Sequence, residues 1–230
     1  MKALITGASS GIGRDMAKYL AKKNIEIYAV GRNKERLDRL NKEIGCKIYI
    51  KDLSKRGEVF SLYEEIKNEN IDILINNAGF GAFGKFEETN LETELELIDT
   101  NITALHILTK LFYRDFLKKG SGYILNVASS AAFMAGPLLS SYYASKNYVL
   151  QLTKAIYEEN RRKNNNVFIS VFCPGPVNTD FNERANVSFA MPGISGEYAA
   201  KYAVDNMFSG KLIIIPTLKM KLGVFALRLV

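Results

Sequence analysis

The sequence predicts an α/β domain with a doubly wound, mostly parallel sheet of seven strands and helices on both faces. Short apolar runs alternate with longer amphipathic runs along the whole chain, as expected when each strand is followed by a helix. The short runs are nearly unbroken in Ile, Leu and Val, which is typical of strands covered on both sides. The chain has 230 residues, 47% of them hydrophobic, and no internal repeat or linker. We therefore predict a single domain over residues 1–230, with ligands bound at the carboxyl ends of the strands.

Seven strands and the helices between them follow from this pattern. The predicted strands are "KALIT", "IEIYAV", "CKIYI", "IDILINNAG", "GYILNVAS", "NVFISVFCPG" and "KLIIIP". The predicted helices are "IGRDMAKYLAKK", "NKERLDRLNKEI", "KRGEVFSLYEEIKN", a long stretch over residues 87–118, "SYYASKNYVLQLTKAIYEENRRK" and residues 197–208. This strand–helix repetition is typical of a doubly wound sheet.

The composition limits the classes of partner. Basic residues outnumber acidic ones by 31 to 24, which gives a net charge of +7. The lysines are spread along the chain without an aromatic–basic motif, so we favour a phosphorylated cofactor or anionic substrate over nucleic acid. The two cysteines, Cys46 and Cys173, lack metal-ligand spacing, and no metal site is predicted. No apolar run reaches the roughly 18 residues of a membrane span, so we expect a cytoplasmic protein without a membrane partner.

A glycine-rich turn follows the first strand. It reads "TGASSGIG", residues 6–13, with glycines at positions 7, 11 and 13. Glycine allows backbone angles and close approaches that a Cβ would block, and the N-terminus of the next helix favours a pyrophosphate. Tight strand-to-helix turns also need glycine for steric reasons alone. Three glycines in this register of the first strand–helix unit predict a dinucleotide cofactor.

The end of the second strand indicates which dinucleotide binds. Sites for NAD usually carry an acidic side chain there, whereas this chain has Gly31 followed by Arg32. A guanidinium can pair with a 2′-phosphate that a carboxylate would repel, so NADP(H) is predicted in preference to NAD(H). Arg32 could also be an ordinary solvated residue at a helix start. Asp52, after the third strand, could accept a hydrogen bond from the adenine or cap the next helix.

Two adjacent tyrosines precede a lysine in "SSYYASKNYV". On a helix, both Tyr142 and Tyr143 could face Lys146, because residues three and four positions apart are neighbours. Helical spacing alone leaves the choice between them open.

The chain resembles the short-chain dehydrogenase/reductase family over nearly its whole length. The motifs occur in the family's order: "TGASSGIG", "NNAG" at 76–79, Asn101 in the long helix, Ser129 after the fifth strand, "YYASK" at 142–146 and "PGPVNT" at 174–179. The resemblance implies a Rossmann-type fold. The family pattern is a tyrosine four residues before a lysine, with a serine about a dozen residues earlier. Tyr142 fits both spacings, so Tyr143 is expected to be a wall of the pocket.

The resemblance implies a catalytic set of Asn101, Ser129, Tyr142 and Lys146. Tyr142 would be the general acid/base, and the Lys146 ammonium is expected to lower its pKa from about 10 towards neutrality. Ser129 would hydrogen-bond the substrate oxygen; Ser130 suits the role by composition, but its spacing to Tyr142 is less favourable. Asn101 would hold a water that links Lys146 to solvent. Lys146 would also bind the ribose hydroxyls of the nicotinamide.

The residues expected around the ligands come from several segments. For the cofactor they are Gly7, Ser9, Ser10, Gly11, Ile12, Gly13, Arg32, Asp52, Leu53, Asn77, Ala78, Gly79, Tyr142, Lys146, Pro174, Gly175, Val177 and Thr179. By resemblance, the Val177 backbone and the Thr179 hydroxyl contact the nicotinamide carboxamide. The predicted apolar substrate pocket contains Phe80, Phe133, Tyr143, Phe181, Phe189 and Met191, several of which could instead pack in the core.

Two further segments and two single residues carry expectations. Residues 179–209 are expected to include a substrate lid. The mixed apolar and basic tail, residues 217–230, could dock on a subunit, cover the substrate site or lie on an anionic membrane, and packing against protein is favoured. The lone histidine, His106, and the thiol of Cys173 are expected to pack rather than to bind a ligand or react.

These observations predict an NADP(H)-dependent oxidoreductase that transfers a hydride between nicotinamide and a small carbonyl compound or secondary alcohol. The family commonly associates through the helices equivalent to 87–118 and 141–163, so a homodimer or homotetramer is expected. The alternatives are a 3-oxoacyl-carrier-protein reductase and a regulator that senses NADP(H) without turnover.

Overall fold

A computed structural model describes residues 1–163, 165–179 and 192–226, and its centre is a parallel sheet. The strands are β1 (Lys2–Thr6), β2 (Glu26–Gly31), β3 (Lys47–Ile50), β4 (Ile73–Asn76), β5 (Ser121–Val127), β6 (Asn166–Phe172), β7 (Val177–Asn178), β8 (Ile194–Ser195) and β9 (Ile213–Ile214). Seven of them form one sheet in the order β3-β2-β1-β4-β5-β6-β9, and every neighbouring pair is parallel. The predicted doubly wound, seven-stranded fold is therefore confirmed.

The helices alternate with the strands. They are α1 (Gly11–Ala21), α2 (Lys34–Ile44), α3 (Arg56–Ile66), α4 (Leu91–Ile98), α5 (Leu105–Lys119), α6 (Ser140–Arg161), α7 (Gly196–Phe208) and α8 (Leu218–Ala226). The prediction of one helix over 87–118 was wrong in two respects. Asn90 begins α4 by accepting a hydrogen bond from the Thr93 amide, and a π-helical segment, Asp99–Ala104, separates α4 from α5. Such a wider turn has no signature in hydrophobic periodicity.

Two hydrophobic layers hold the helices on the sheet. On one face, α1, α2 and α7 pack on the strands through buried residues such as Met16, Leu37 and Ala203. On the other face, α3 and α5 pack through residues such as Leu62 and Phe112. Because both faces of the strands are covered, the strand sequences are continuously apolar rather than alternating.

The strand order fixes where a ligand can bind. The chain runs outward from β1 to β2 and β3, then returns to place β4 on the other side of β1. Loops after β1 and β4 therefore leave the sheet in opposite directions and open a crevice at its carboxyl edge.

The predicted lid segment is only partly described. Residues 180–191 lie outside the described residues. The rest includes β8, which pairs with β7, and α7, whose residues Ala199, Ala200 and Ala203 are fully buried against the sheet layer. Helix α7 is therefore part of the core rather than of a lid.

Candidate active site

A cavity of about 960 Å³ lies along the carboxyl edge of the sheet. Most of the residues predicted to bind the cofactor line it: Gly7, Ser9, Ser10, Gly11, Ile12, Arg32, Asp52, Leu53, Asn77, Ala78, Gly79, Tyr142, Lys146, Pro174, Gly175, Val177 and Thr179. The structure thus brings six separate sequence segments to one surface.

The glycine turn at one end of the cavity is packed tightly against the loop after β4. Gly7 has φ +65°, and a Cβ there would lie 2.9 Å from the Ala78 Cα. The Thr6 hydroxyl accepts hydrogen bonds from the backbone amides of Asn77 and Ala78, both at 3.0 Å. The Asn77 side chain donates to the carbonyls of Thr6 and Gly7. These bonds fix the turn against the neighbouring loop.

Gly13 does not line the cavity, in contrast to the other glycines of the turn. It is buried at the start of α1. A Cβ there would lie 2.3 Å from the side-chain amide nitrogen of Asn77 and 2.5 Å from the Gly7 carbonyl oxygen. Its role is therefore to let α1 approach the turn. Helix α1 has no acidic residue in its first turn, and the Ser10 side chain makes no capping hydrogen bond. The N-terminal amides of α1 thus suit an anionic group.

The end of the cavity beside β2 and β3 carries both charge signs. Arg32 is well exposed, and its guanidinium lies 3.8 Å from an Asp52 carboxylate oxygen. Asp52 also accepts hydrogen bonds from the amide and hydroxyl of Ser54. Burial acts to raise the pKa of Asp52, but the bonds from Ser54 and the nearby Arg32 outweigh it, and the pKa lies below its usual value. Asp52 thus holds the local turn and also lines the cavity.

Tyr142 and Lys146 lie on one face of α6 and border the cavity together with Ser129 from the end of β5. Both helical side chains are buried. The Ser129 hydroxyl is close enough to the Tyr142 side chain to act on the pKa of the phenol, and the Lys146 ammonium lies 5.7 Å from the centroid of the Tyr142 ring. The Lys146 ammonium donates to the Val127 carbonyl oxygen at 3.0 Å. A hydroxyl, a phenol and an amine therefore meet at one wall.

The electrostatics of this group differ from the prediction. Burial raises the pKa of Tyr142 to about 12, although the Ser129 hydroxyl opposes the rise. Burial also lowers the pKa of Lys146 to about 8. The expectation that Lys146 lowers the Tyr142 pKa overlooked that the same apolar surroundings disfavour both charged forms. In the free protein at neutral pH, the tyrosine is therefore a protonated phenol.

Tyr143 lies beside Tyr142 at the cavity. It is half-buried, lines the cavity, and its ring meets the Tyr142 ring edge-on with centroids 6.2 Å apart. The two tyrosines thus differ in burial and in their distance along the helix from Lys146, with Tyr142 one full turn away.

Asn101 lies in the π-helical segment and is buried behind the cavity rather than on it. Its amide nitrogen donates to the Phe80 carbonyl and to the Ser145 hydroxyl, both at 3.0 Å, and its oxygen accepts from the Phe80 amide at 3.1 Å. The Ser145 hydroxyl in turn donates to the Tyr142 carbonyl at 2.7 Å. Both amide hydrogens of Asn101 are engaged, which joins the loop after β4 to α6. Sequence reasoning missed Ser145, whose position in "YYASK" was the available signal.

The end of the cavity at which the substrate pocket is predicted, here called the substrate end, is apolar, and its lining differs in part from the predicted set. Phe80 and Tyr143 line it, but Phe133 does not; it packs against the cluster that contains Val149 and Leu150. The remaining predicted residues, Phe181, Phe189 and Met191, lie outside the described residues. Phe133 was placed wrongly because a short 3₁₀ helix, Ser130–Phe133, turns it towards the core.

Helix α8 closes the substrate end, and sequence reasoning did not identify its residues. Lys219, Met220, Gly223 and Val224 line the cavity. Met220 packs so closely on Gly175 that a Cβ there would lie 2.7 Å from the methionine sulfur. One of the three roles considered for the tail, covering the substrate site, therefore describes the inner face of α8.

The other singled-out residues have structural surroundings. His106 is exposed, not packed, and its Nδ1 is hydrogen-bonded to the Tyr148 hydroxyl at 2.7 Å. Cys46 and Cys173 are buried free thiols, and burial raises the pKa of Cys173 to about 12.

Within the described ranges, no three His, Cys, Asp or Glu side chains are placed to hold a metal ion. None of the helices in those ranges is long and apolar enough to cross a membrane.

Known proteins carry similar sequences and a similar fold. A family model described as "short chain dehydrogenase" matches residues 1–188. The chain is 31% identical over 220 residues to "3beta-hydroxysteroid dehydrogenase" of Mediterraneibacter gnavus, which covers 90% of this chain and 79% of that protein. It is 28% identical over 218 residues to "Hydroxysteroid dehydrogenase-like protein 1" of Gallus gallus, covering 89% of this chain but only 65% of that protein's length.

A solved structure matches the fold closely. The chain superposes on a short-chain dehydrogenase from Sphingobium yanoikuyae in complex with NADPH with a TM-score of 0.88 and 29% identity, covering 99% of this chain and 92% of that one.

Proposed function

The chain belongs to the short-chain dehydrogenase family, and from this premise we propose that it is an NADP(H)-dependent oxidoreductase acting on a carbonyl compound or secondary alcohol. The observation that carries the proposal is the meeting of Ser129, Tyr142 and Lys146 at one wall of a cavity that begins at the glycine turn. No metal is needed for these residues to act, because they provide a proton donor and a charged amine themselves.

The cavity suits a dinucleotide. The amides at the start of α1 suit an anionic group, and the backbone of the turn borders the cavity at Gly7 and Gly11. We propose that the turn and α1 hold the pyrophosphate, that Asp52 borders the adenine, and that Val177 and Thr179 border the nicotinamide. The cofactor, when bound, supplies or accepts the hydride.

Tyr142 is the proposed general acid in the reduction. Since burial raises its pKa to about 12, the phenol keeps its proton at neutral pH and can give it to the substrate oxygen as the alkoxide forms. Ser129, which lines the cavity beside Tyr142, is proposed to donate to the same oxygen and stabilise its developing charge. The dry surroundings strengthen both interactions.

Lys146 is proposed to bind the nicotinamide ribose and to return the proton to Tyr142. Its pKa of about 8 lets it exchange protons near neutral pH, which a solvated lysine cannot do. Asn101 is proposed to support this relay by holding the loop at Phe80 and helix α6 together through Ser145.

The preference for NADP(H) is proposed on the charge beside β2. Gly31 offers no carboxylate to the ribose, while Arg32, Asn33 and Lys51 line the same part of the cavity. Arg32 is well exposed and its contact with Asp52 is long, so it can turn to a 2′-phosphate at small cost.

The apolar substrate end supports a hydrophobic ketone or its alcohol as the substrate class. Phe80, Leu139, Met220 and Val224 form most of this wall. The similar protein from M. gnavus is named for a hydroxysteroid, which is a substrate of this kind.

We also propose that the chain forms a homodimer or homotetramer through α4, α5 and α6. Leu91, Leu95 and Ile98 form an exposed apolar stripe on α4, which is a surface that association would cover. Light scattering of the purified protein would measure its mass, and a monomer at micromolar concentration would contradict this part.

The test of the activity is NADPH oxidation across a panel of aldehydes, hydrophobic ketones and 3-oxoacyl thioesters. Tyr142→Phe should lower turnover by roughly 10²–10⁴-fold, because the phenyl ring cannot donate a proton, while NADPH affinity stays nearly constant. Tyr143→Phe is the matched control and should stay within a few-fold of wild type.

Three other outcomes would change the assignment. Equal losses in the two variants would contradict Tyr142 as the acid. Turnover restricted to acyl-carrier substrates would favour the 3-oxoacyl-carrier-protein reductase. Tight NADPH binding without turnover on any substrate would favour a regulator.

A further inference from the structure

The C-terminal helix α8 is apolar on two faces. Its inner side chains, Met220 and Val224, line the cavity. Its outer side chains, Leu218, Leu222 and Phe225, are 70%, 61% and 62% exposed. Packing against protein, which the sequence favoured for this segment, therefore accounts for the inner side chains and leaves the outer ones exposed. The outer set defines what we call the α8 face.

Lysines flank the α8 face on both sides. At 100° per residue, Leu218, Leu222 and Phe225 fall within an arc of roughly 60°, with Lys219 and Lys221 about 60° and 40° beyond its two edges. An apolar stripe edged by lysines is the arrangement of helices that lie in a membrane interface, where the lysine ammonium groups reach the headgroups. The chain also has no Asp or Glu between residues 206 and 226.

A second exposed apolar stripe, on α4, has the opposite electrostatic setting. Leu91, Leu95 and Ile98 are 63%, 49% and 38% exposed, so the two stripes are comparable in apolar character. Four acidic residues lie among and just beyond Leu91, Leu95 and Ile98, on α4 and the π-helical segment: Glu92, Glu94, Glu96 and Asp99. An anionic surface would repel the α4 stripe and attract the α8 face.

The α8 face lies beside the substrate end of the cavity. Lys219 belongs to both surfaces, since it edges the α8 face and lines the cavity. Met134 and Leu138, on the other side of that end, are also exposed apolar residues at 41% and 40%. Among the described residues, the substrate end is thus bordered by exposed apolar side chains and by Lys219, and α8 itself carries no carboxylate.

We propose that the α8 face docks on the surface of an anionic lipid bilayer, which places the substrate end of the cavity next to the lipid. The two lysines provide the attraction to anionic headgroups, and the three apolar side chains enter the acyl boundary. This inference does not depend on the hydride-transfer chemistry, because it rests on the outer surface of the helix.

A tryptophan reporter tests the contact directly, since the chain contains no tryptophan. Phe225→Trp is expected to shift its emission to the blue on vesicles of phosphatidylcholine and phosphatidylglycerol in equal parts. It should shift much less on phosphatidylcholine alone, and added salt should reverse the shift. Leu95→Trp on α4 and Phe60→Trp on the exposed side of α3 are the matched controls and should not respond.

Vesicle co-sedimentation of unlabelled variants provides the second measurement. Leu222→Ser with Phe225→Ser should lower the partition coefficient about tenfold or more, because two large apolar side chains no longer enter the lipid. Lys221→Gln should lower it about fivefold on anionic vesicles only. Phe60→Ser, on the exposed side of α3 and outside the proposed subunit interface, should change neither value. All of these positions are exposed, and circular dichroism of each variant checks that the fold is kept.

The proposal fails if wild type does not sediment with anionic vesicles, or if the reporters at 225 and 95 respond alike. It also fails if the emission of the tryptophan at 225 is already blue-shifted without lipid and the Leu222→Ser, Phe225→Ser double variant has a smaller mass than wild type by light scattering. In that case the occupant of the α8 face is a second copy of the chain.

Discussion

The two ends of the cavity are built in different ways. The cofactor end grows from loops after β1 and β4 that are tied to each other by the bonds of Thr6 and Asn77. The substrate end is closed by a loop residue, Phe80, and by one face of α8. The first end is thus fixed by hydrogen bonds between two loops, whereas α8 meets the second end through apolar side-chain contacts such as that of Met220 on Gly175.

This difference decides how many sequences each end accepts. At Gly13, a single added carbon would lie 2.3 Å from the side chain of Asn77, so only glycine fits at this position. At Gly223, on the cavity wall in α8, an added Cβ meets none of the described residues within 4 Å. A backbone fixed by hydrogen bonds and close contacts accepts few residue types, and these appear in the sequence as a motif. A loosely packed wall accepts many residue types and leaves no motif.

The largest expected effect is the loss of stability in Gly13→Ala. Because the added Cβ would overlap the Asn77 amide and the Gly7 carbonyl, α1 or the turn must move, at a cost of about 3 kcal/mol. Thermal unfolding should show a melting temperature lowered by roughly 6–12 °C.

Gly57→Ala in α3 is the control for this prediction. No atom in the part of the chain that the structure describes lies within 4 Å of its added Cβ, so this change should stabilise the protein by up to about 1 kcal/mol. Equal melting temperatures for the two variants would show that the approach of α1 to the turn is not tight.

The same contrast explains which parts of the molecule the sequence predicts. The strands, the turn at Gly7 and the pair of Tyr142 with Lys146 follow from local pattern and resemblance, because each is determined within a few residues. The contacts of Asn101 depend on a π-helical segment and on Ser145, 44 residues away, and no periodicity encodes them. Likewise, Phe133 turns inward and Met220 turns towards Gly175 because of how distant elements pack.

The next prediction concerns the buried ammonium group of Lys146. Burial lowers the pKa of Lys146 from its ordinary value of 10.5 to about 8 in the folded protein, so between these values the unfolded chain binds more protons at this residue. The stability of wild type should therefore rise with pH across that window. Lys146→Met cannot titrate there.

Denaturant unfolding of both proteins at several pH values measures this effect. The difference in unfolding free energy, wild type minus Lys146→Met, should increase by on the order of 2 kcal/mol between pH 8 and 10. Taking the difference cancels the other groups that titrate in this range. A flat difference would mean that the ammonium keeps its charge and that the site is wetter than its burial implies.

A smaller effect is expected at the far edge of the cofactor end. Arg32→Ala should weaken NADPH binding about tenfold, because a charge-assisted pair with the 2′-phosphate is lost, and should leave NADH binding within about twofold. Fluorescence titration of both cofactors measures the two affinities, with Arg36→Ala on α2 as the control. An equal loss for both cofactors would remove the basis for NADP(H) preference.

The smallest effect is expected at the open wall. Gly223→Ala adds a methyl group on the cavity side of α8 without a clash, and helix propensity should raise stability by up to about 1 kcal/mol. Because the group narrows the substrate end only, KM should rise a few-fold for the bulkiest ketone that turns over and remain constant for the smallest, with kcat and NADPH affinity unchanged. Steady-state kinetics on both ketones measures this split. A loss of stability like that of Gly13→Ala would show that the wall is as tightly held as the glycine turn, and the contrast between the two ends would no longer stand.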